Sequence, residues 1–134
     1  RLFVDLVQPV KIRAVQLRYI NRLLLPFSEG RVDLSEYLTQ SPKLPVEEGF
    51  GFTGFVQQYT GLETATGHQV HIVTAAEESL EKARPILLDI QTSHVADIEP
   101  SDWDSILIQV QSLRRLKNLM FSRSLTEKCL NLYR

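Results

Sequence analysis

The chain has 134 residues and a formal net charge of −1, which fits one domain with a real hydrophobic core. Hydrophobic residues make up 43% and charged residues 23%, ordinary globular proportions that argue against wholesale disorder. The single cysteine, Cys129, excludes an internal disulfide and a multi-cysteine zinc site, and the apolar runs are far too short to span a bilayer.

The near-neutral total hides a segregation. Residues 1–22 hold five basic side chains against Asp5, and residues 114–134 hold six against Glu127, while 23–113 hold four basic and fourteen acidic ones. If the two ends meet, they form a basic face on a mildly acidic protein.

In chain order, residues 1–8 read as the end of a connecting helix, with Leu2, Phe3, Leu6 and Val7 on one side and Pro9 as its stop. Residues 9–134 read as a single domain. Its first element is a long strand over 10–25, with Val15, Leu17, Tyr19, Asn21 and Leu23 on one face and Ile12, Ala14, Gln16, Arg18 and Ile20 on the other. A short helix over 32–38 follows, capped by Asp33 with Glu36 three residues on. Residues 41–48 are loop. A second strand is expected over 50–63, carrying Phe50, Phe52, Phe55 and Tyr59, then a turn at 64–67 and a returning strand over 68–75. A polar connection, 77–82, leads to a fourth strand over 84–94. That strand is apolar on both faces at Ile86-Leu87-Leu88 and Ile90, apart from Asp89, which places it inside the sheet. The longest helix opens at Pro100-Ser101, with Ser101 and Asp104 as a capping box and Trp103, Ile106, Val110, Leu113, Leu116 and Met120 as its buried stripe. Ser124 and Glu127 predict a second cap and a final helix over 125–133.

The order β-α-β-β-β-α-α predicts an α+β fold. Its sheet is a curved four-stranded antiparallel sheet, with the first strand joined by a crossover and the long C-terminal helix packed on one face. The order also looks like the helix-grip and TATA-binding-protein-like folds, an analogy that licenses no function by itself.

Three motifs in register carry a family resemblance: Leu17-Arg18-Tyr19-Ile20-Asn21-Arg22, Leu87-Leu88-Asp89-Ile90, and Leu116-Lys117-Asn118-Leu119-Met120-Phe121 with Leu125-Thr126-Glu127-Lys128. From about Gln8 onward the chain resembles the C-terminal half of a sporadically distributed, functionally uncharacterised prokaryotic protein family. The departures are Leu119-Met120-Phe121 in place of an Ile-Phe-type pair, and Gln91-Thr92-Ser93-His94 where a bulkier segment often follows. The resemblance implies that an N-terminal half is missing, which agrees with a chain that opens on Arg1 rather than Met. It implies no activity, cofactor or catalytic set. No cofactor or metal is expected.

Chemistry-bearing residues are few. His68 and His71 stand three apart, so a strand sends them to opposite faces, as exposed hairpin histidines rather than metal ligands. His94 reaches Asp89 only by bending back over roughly 16 Å of strand. No phosphate loop, nucleophile elbow or catalytic Ser-His-Asp order is present. Glu47-Glu48 and Glu77-Glu78 read as solvated loop pairs. Cys129 reads as a buried, inert thiol, and its presence fits a cytoplasmic protein.

The sharper case is Tyr19, Asn21 and Asn118, expected to form a buried polar network that fixes the helix against the sheet, because buried polar groups need partners. The competing reading is a binding spot built from Arg18, Arg22, Arg114 and Lys117 for an anionic ligand. Three functions follow. The first is a non-catalytic protein-interaction or assembly module, binding the missing half or a second copy as a homodimer. The second is a nucleic-acid-binding module using the basic ends. The third is a small-molecule pocket between sheet and helix. No membrane partner is expected.

Overall fold

The computed structural model describes residues 12–27, 32–45, 49, 53–78 and 80–133. The expected helix end over 1–8, the Glu47-Glu48 pair, Phe50 and Phe52 lie outside these residues. The fold is α+β, with a four-stranded antiparallel open sheet and a long C-terminal helix. The strands are β1 (Ile12–Pro26), β2 (Val56–Glu63), β3 (His68–Ala76) and β4 (Ala83–Ile98), and the helices are α1 (Trp103–Ser124) and α2 (Glu127–Asn131). Strand order is β1-β4-β3-β2, so β2, β3 and β4 form a meander and β1 adds beside β4.

Period-two alternation decides which side chains meet the helix. Leu23 pairs with Ile86, Asn21 with Leu88, Tyr19 with Ile90 and Leu17 with Thr92. β3 continues these rows with Ala76, Thr74, Ile72 and Val70. Leu23, Leu25, Ile86, Leu88 and Ile90 are fully buried, and α1 contributes Leu113 and Leu116. Each such side chain stabilises the fold by about 1.5–3 kcal/mol. Thr92 is equally buried and donates its hydroxyl to the Leu113 carbonyl at 3.1 Å, tying helix to central strand.

The remaining core lies where the crossover segment meets the α1–α2 junction. Leu38 bridges Leu125, Thr39 N–H donates to Ser124 O, and Thr126 N–H donates to Tyr37 O. Tyr37, Leu38, Leu125 and Cys129 are buried there with Leu23 and Leu25. Lys128 pairs with Glu36 at 2.6 Å and lies over the Tyr37 ring. That hydrogen bond, then Glu36's charge, holds the Lys128 ammonium above its usual range.

Several element ends differ from expectation, and at the starts of the two helices a different side chain caps the backbone. Asp33 caps as expected, accepting from Ser35 N–H, but only one 3-10 turn, Leu34–Glu36, forms, and the backbone of Tyr37 and Thr39 bonds instead to Thr126 and Ser124. The long helix is capped by Asp102, which accepts from Ser105 N–H, rather than by Ser101. The final helix is capped by Thr126, which accepts from Cys129 N–H, rather than by Ser124, which instead offers its carbonyl to Thr39. β2 starts at Val56, six residues later than expected, and β4 runs four residues past His94 to Ile98. The β2–β3 turn closes on Gly67, whose φ of +77° is a left-handed conformation that glycine adopts without strain. Trp103, expected in the buried stripe, is 58% exposed, and Leu107 and Ile108 are exposed with it. The first turns of α1 therefore leave apolar side chains in solvent, while Leu113 and Leu116 carry the packing.

Candidate functional site

The β1 motif divides its side chains between the two faces of the sheet. Arg18, Ile20, Arg22 and Leu24 project from the face away from α1, and Leu17, Tyr19, Asn21 and Leu23 from the face toward it. On the outer face Arg18 reaches diagonally to Asp89, with Nε 3.0 and 3.2 Å from the two carboxylate oxygens and Nη2 2.6 Å from one of them. These hydrogen bonds, and then Asp89's charge, hold the Arg18 guanidinium above its usual range. Arg22 pairs with Glu77 at 2.8 Å, so one of the two acids expected to be solvated is partnered. On the inner face the Tyr19 ring meets Phe121 edge-on at 5.6 Å, and the Lys117 ammonium sits 4.6 Å from its centroid.

The four cationic residues singled out from sequence are thus not gathered in one place. Arg18 and Arg22 lie on the outer sheet face, Lys117 sits over Tyr19 on the inner side, and Arg114 is exposed on α1. The expected buried network of Tyr19, Asn21 and Asn118 is also not assembled. Asn118 is exposed, Asn21 is half-buried, and neither side chain hydrogen-bonds another described residue. The reason is helical phase. Leu113 and Leu116 set the buried face, and a residue two positions on is rotated about 200° away. Lys117 and Phe121, four apart, lie one above the other and take the Tyr19 contact instead.

A different cluster occupies the inner side at the β2–β3 turn. His68 is buried, contrary to the exposed position expected of it. Its Nδ1 lies 2.9 Å from Nδ1 of His94, and its Nε2 lies 2.7 Å from the Ser112 hydroxyl on α1. The two rings meet edge-on at 4.7 Å. Nearby, Glu63 accepts from Arg115 at 2.6 Å and from the Thr66 hydroxyl at 2.7 Å. These bonds hold the Glu63 carboxyl below its usual range. Burial, then the neighbouring His94, pushes the His68 pKa down, and Glu63 opposes this only in part. The strand register brings the two histidines together. The β3–β4 register pairs Gln69 with Ser93, so His68 and His94 fall opposite one another one step further along.

The connectivity Ser112–His68–His94 follows a nucleophile–base–orienter order. Ser112, however, sits in the interior of a 22-residue helix, where its own N–H is committed to the helical ladder. What the geometry supplies is a short chain of shareable protons. His71 lies on the outer face, with its Nε2 buried and without a hydrogen-bond partner. Among the described residues no group of three metal-ligating side chains converges, and no helix is long and apolar enough to cross a membrane. Cys129 is fully buried, and burial pushes its thiol pKa up, as an inert core thiol requires.

The outer sheet face has no described element across it. Ile20, Leu24, Val56, Leu62 and Val95 are all exposed there, Val56 at 71% and Val95 at 72%. Between β2, β3 and β4 this face is hollowed into a depression of about 610 Å³ lined by Thr60, Leu62, Gln69, His71, Gln91 and Ser93. On the other side of the sheet, Leu113 and Leu116 fill the space beneath the helix.

No protein-family model, curated protein or solved structure matches this chain. The functional reading therefore rests on the geometry above.

Proposed function

We propose that this domain is a non-catalytic protein-interaction or assembly module that works through the sheet face that no described element covers, with a second copy of the chain as the partner. The observation that carries this reading is the composition of that face. Exposed Ile20 and Leu24 lie on β1 beside the ion pairs that neutralise Arg18 and Arg22, and exposed Val56 and Leu62 lie on β2 at the other edge of the same face. Apolar side chains with internally paired arginines suit a recognition surface. A face with its charges paired meets its own copy without like-charge repulsion, and two sheet faces pack at about 10 Å.

The same pairing weighs against a nucleic-acid-binding role, since Arg18 and Arg22 already have carboxylate partners and phosphate contacts would have to displace them. A ligand pocket between sheet and helix finds no support, because that space is filled by leucine side chains. The resemblance of the three motifs supports a further proposal, that the chain is the C-terminal half of a larger cytoplasmic prokaryotic protein whose other half is an additional partner.

Sedimentation velocity over a range of concentrations tests the reading. The wild-type chain is expected to exceed its 15.4 kDa monomer mass as concentration rises, and the double variant Ile20→Lys, Leu62→Lys to stay monomeric. A wild-type chain that remains monomeric throughout removes the self-assembly reading.

A further inference from the structure

The contact between His68 and His94 has no part in the sheet-face reading, and it joins three elements at one point. His68 opens β3, His94 lies on β4 and Ser112 lies on α1. We propose that the His68–His94 pair is a proton-operated clamp that holds the middle of α1 on the sheet near neutral pH and loosens it in mild acid.

Proton count decides whether the pair holds together. Two nitrogens 2.9 Å apart make a hydrogen bond only when one of them carries a proton. With both imidazoles neutral, one Nδ1–H donates to the other Nδ1, and the second hydrogen bond joins His68 Nε2 to Ser112 Oγ. Either direction of donation satisfies the chain, because a hydroxyl can both donate and accept. When both rings are cationic, both Nδ1 atoms carry protons. The hydrogen bond is then replaced by two N–H groups facing each other and two like charges in contact. His68 is 2% exposed, so solvent does little to screen that repulsion. Relief comes from separating the rings, and His68 is held from above by Ser112 of α1.

The surrounding charges leave the histidines as the acid trigger. The charged groups facing His68 are Glu63 from β2, Arg115 from α1 and His94 from β4. The Glu63 carboxyl is held below its usual range by Arg115 and Thr66, so it stays ionised through mildly acidic pH. The Arg115 guanidinium adds to the repulsion of an imidazolium at His68. Thr66, which donates its hydroxyl to Glu63 and accepts from His68 N–H, is neutral at any pH. Leu113, next to Ser112 and fully buried, and the Thr92 hydroxyl on its carbonyl hold the same turn of α1, so acid loosens that turn without detaching the helix, and the fully buried leucines of β1 and β4 lie further along the strands.

The test is imidazole titration by nuclear magnetic resonance together with amide hydrogen exchange on the full chain, corrected for intrinsic exchange rates. Protection of the α1 amides around Ser112 is expected to fall by about tenfold for each unit of pH once the pair begins to take up its second proton. The β1–β4 ladder over 19–25 should keep its protection. In His94→Gln, the side-chain amide can still donate to His68 Nδ1 but carries no charge, so the acid-linked loss should be less steep than in wild type, the remainder coming from the burial of His68 itself. The proposal is overturned if both wild-type imidazoles titrate fully while α1 protection is unchanged. It is also overturned if a folded His94→Gln chain loses α1 protection in acid as steeply as wild type. The wild-type measurement decides the matter even where the variant does not fold.

Discussion

Arg18 on β1 grips Asp89 on β4 through both carboxylate oxygens, on the face of the sheet that no described helix covers. The two ends of this pair are unequally exposed, with the arginine side chain at 51% and the aspartate at 14%. Arg18→Met therefore leaves a mostly buried carboxylate without its cation. The nearby Arg22–Glu77 pair has a more exposed acid, at 38%, which water can solvate after the loss of Arg22. Arg18→Met should destabilise the fold more than Arg22→Met, as read from urea midpoints. Equal effects would mean that Asp89 is better hydrated than its position indicates.

The tie between Thr92 and the Leu113 carbonyl can be separated from the packing beside it. Thr92→Val keeps the shape and removes one hydroxyl bond, an expected cost of about 0.5–1.5 kcal/mol. Leu113→Ala opens a cavity in a fully buried site, with an expected cost of about 2–5 kcal/mol. Denaturant unfolding of the two variants should rank them in that order.

Cys129 should resist thiol reagents in the native state, since it is fully buried and burial raises its pKa. Labelling should follow global unfolding, appearing at the denaturant concentration where circular dichroism is lost. Cys129→Ser places a hydroxyl in the same apolar site and should cost about 1–3 kcal/mol.

Global stability should fall in two acid steps. His68 has a lowered pKa in the folded state, so the unfolded chain binds more protons just below the ordinary histidine value. The stability it contributes is present above that value, near 6.5, and is lost as pH falls below it. Glu63 and Asp102 also have lowered folded-state pKa values. Their contribution is present above the ordinary carboxylate range and is lost as pH falls through the folded values. Thermal midpoints should therefore decline below about pH 6.5 and again below about pH 4. His68→Gln should remove the first decline and leave the second.

Much of the architecture was legible because burial in this sheet follows simple alternation. The odd residues from Leu17 to Leu23 turn toward the helix, and Asp89 interrupts an otherwise apolar strand, so both faces could be assigned from β1 and β4 alone. Helix ends were less legible, because Ser101, Asp102, Ser124 and Thr126 are all good caps and only tertiary contacts choose among them. The His68–His94 contact depended on register. Its residues stand opposite one another only because the connection between β3 and β4 has its particular length, and a slip of one residue would move His94 to the other face. Asn118 was misplaced for a related reason, since helical phase is set by Leu113 and Leu116 and a two-residue offset turns a side chain into solvent.

On this account the domain assembles through the sheet face that no described element covers. Sedimentation velocity of wild type beside the Ile20→Lys, Leu62→Lys variant tests it most directly, with circular dichroism to verify that both are folded. Concentration-dependent association of wild type, lost in the variant, is the expected result. A wild-type chain that is monomeric at every concentration, or a variant that associates equally well, would contradict it.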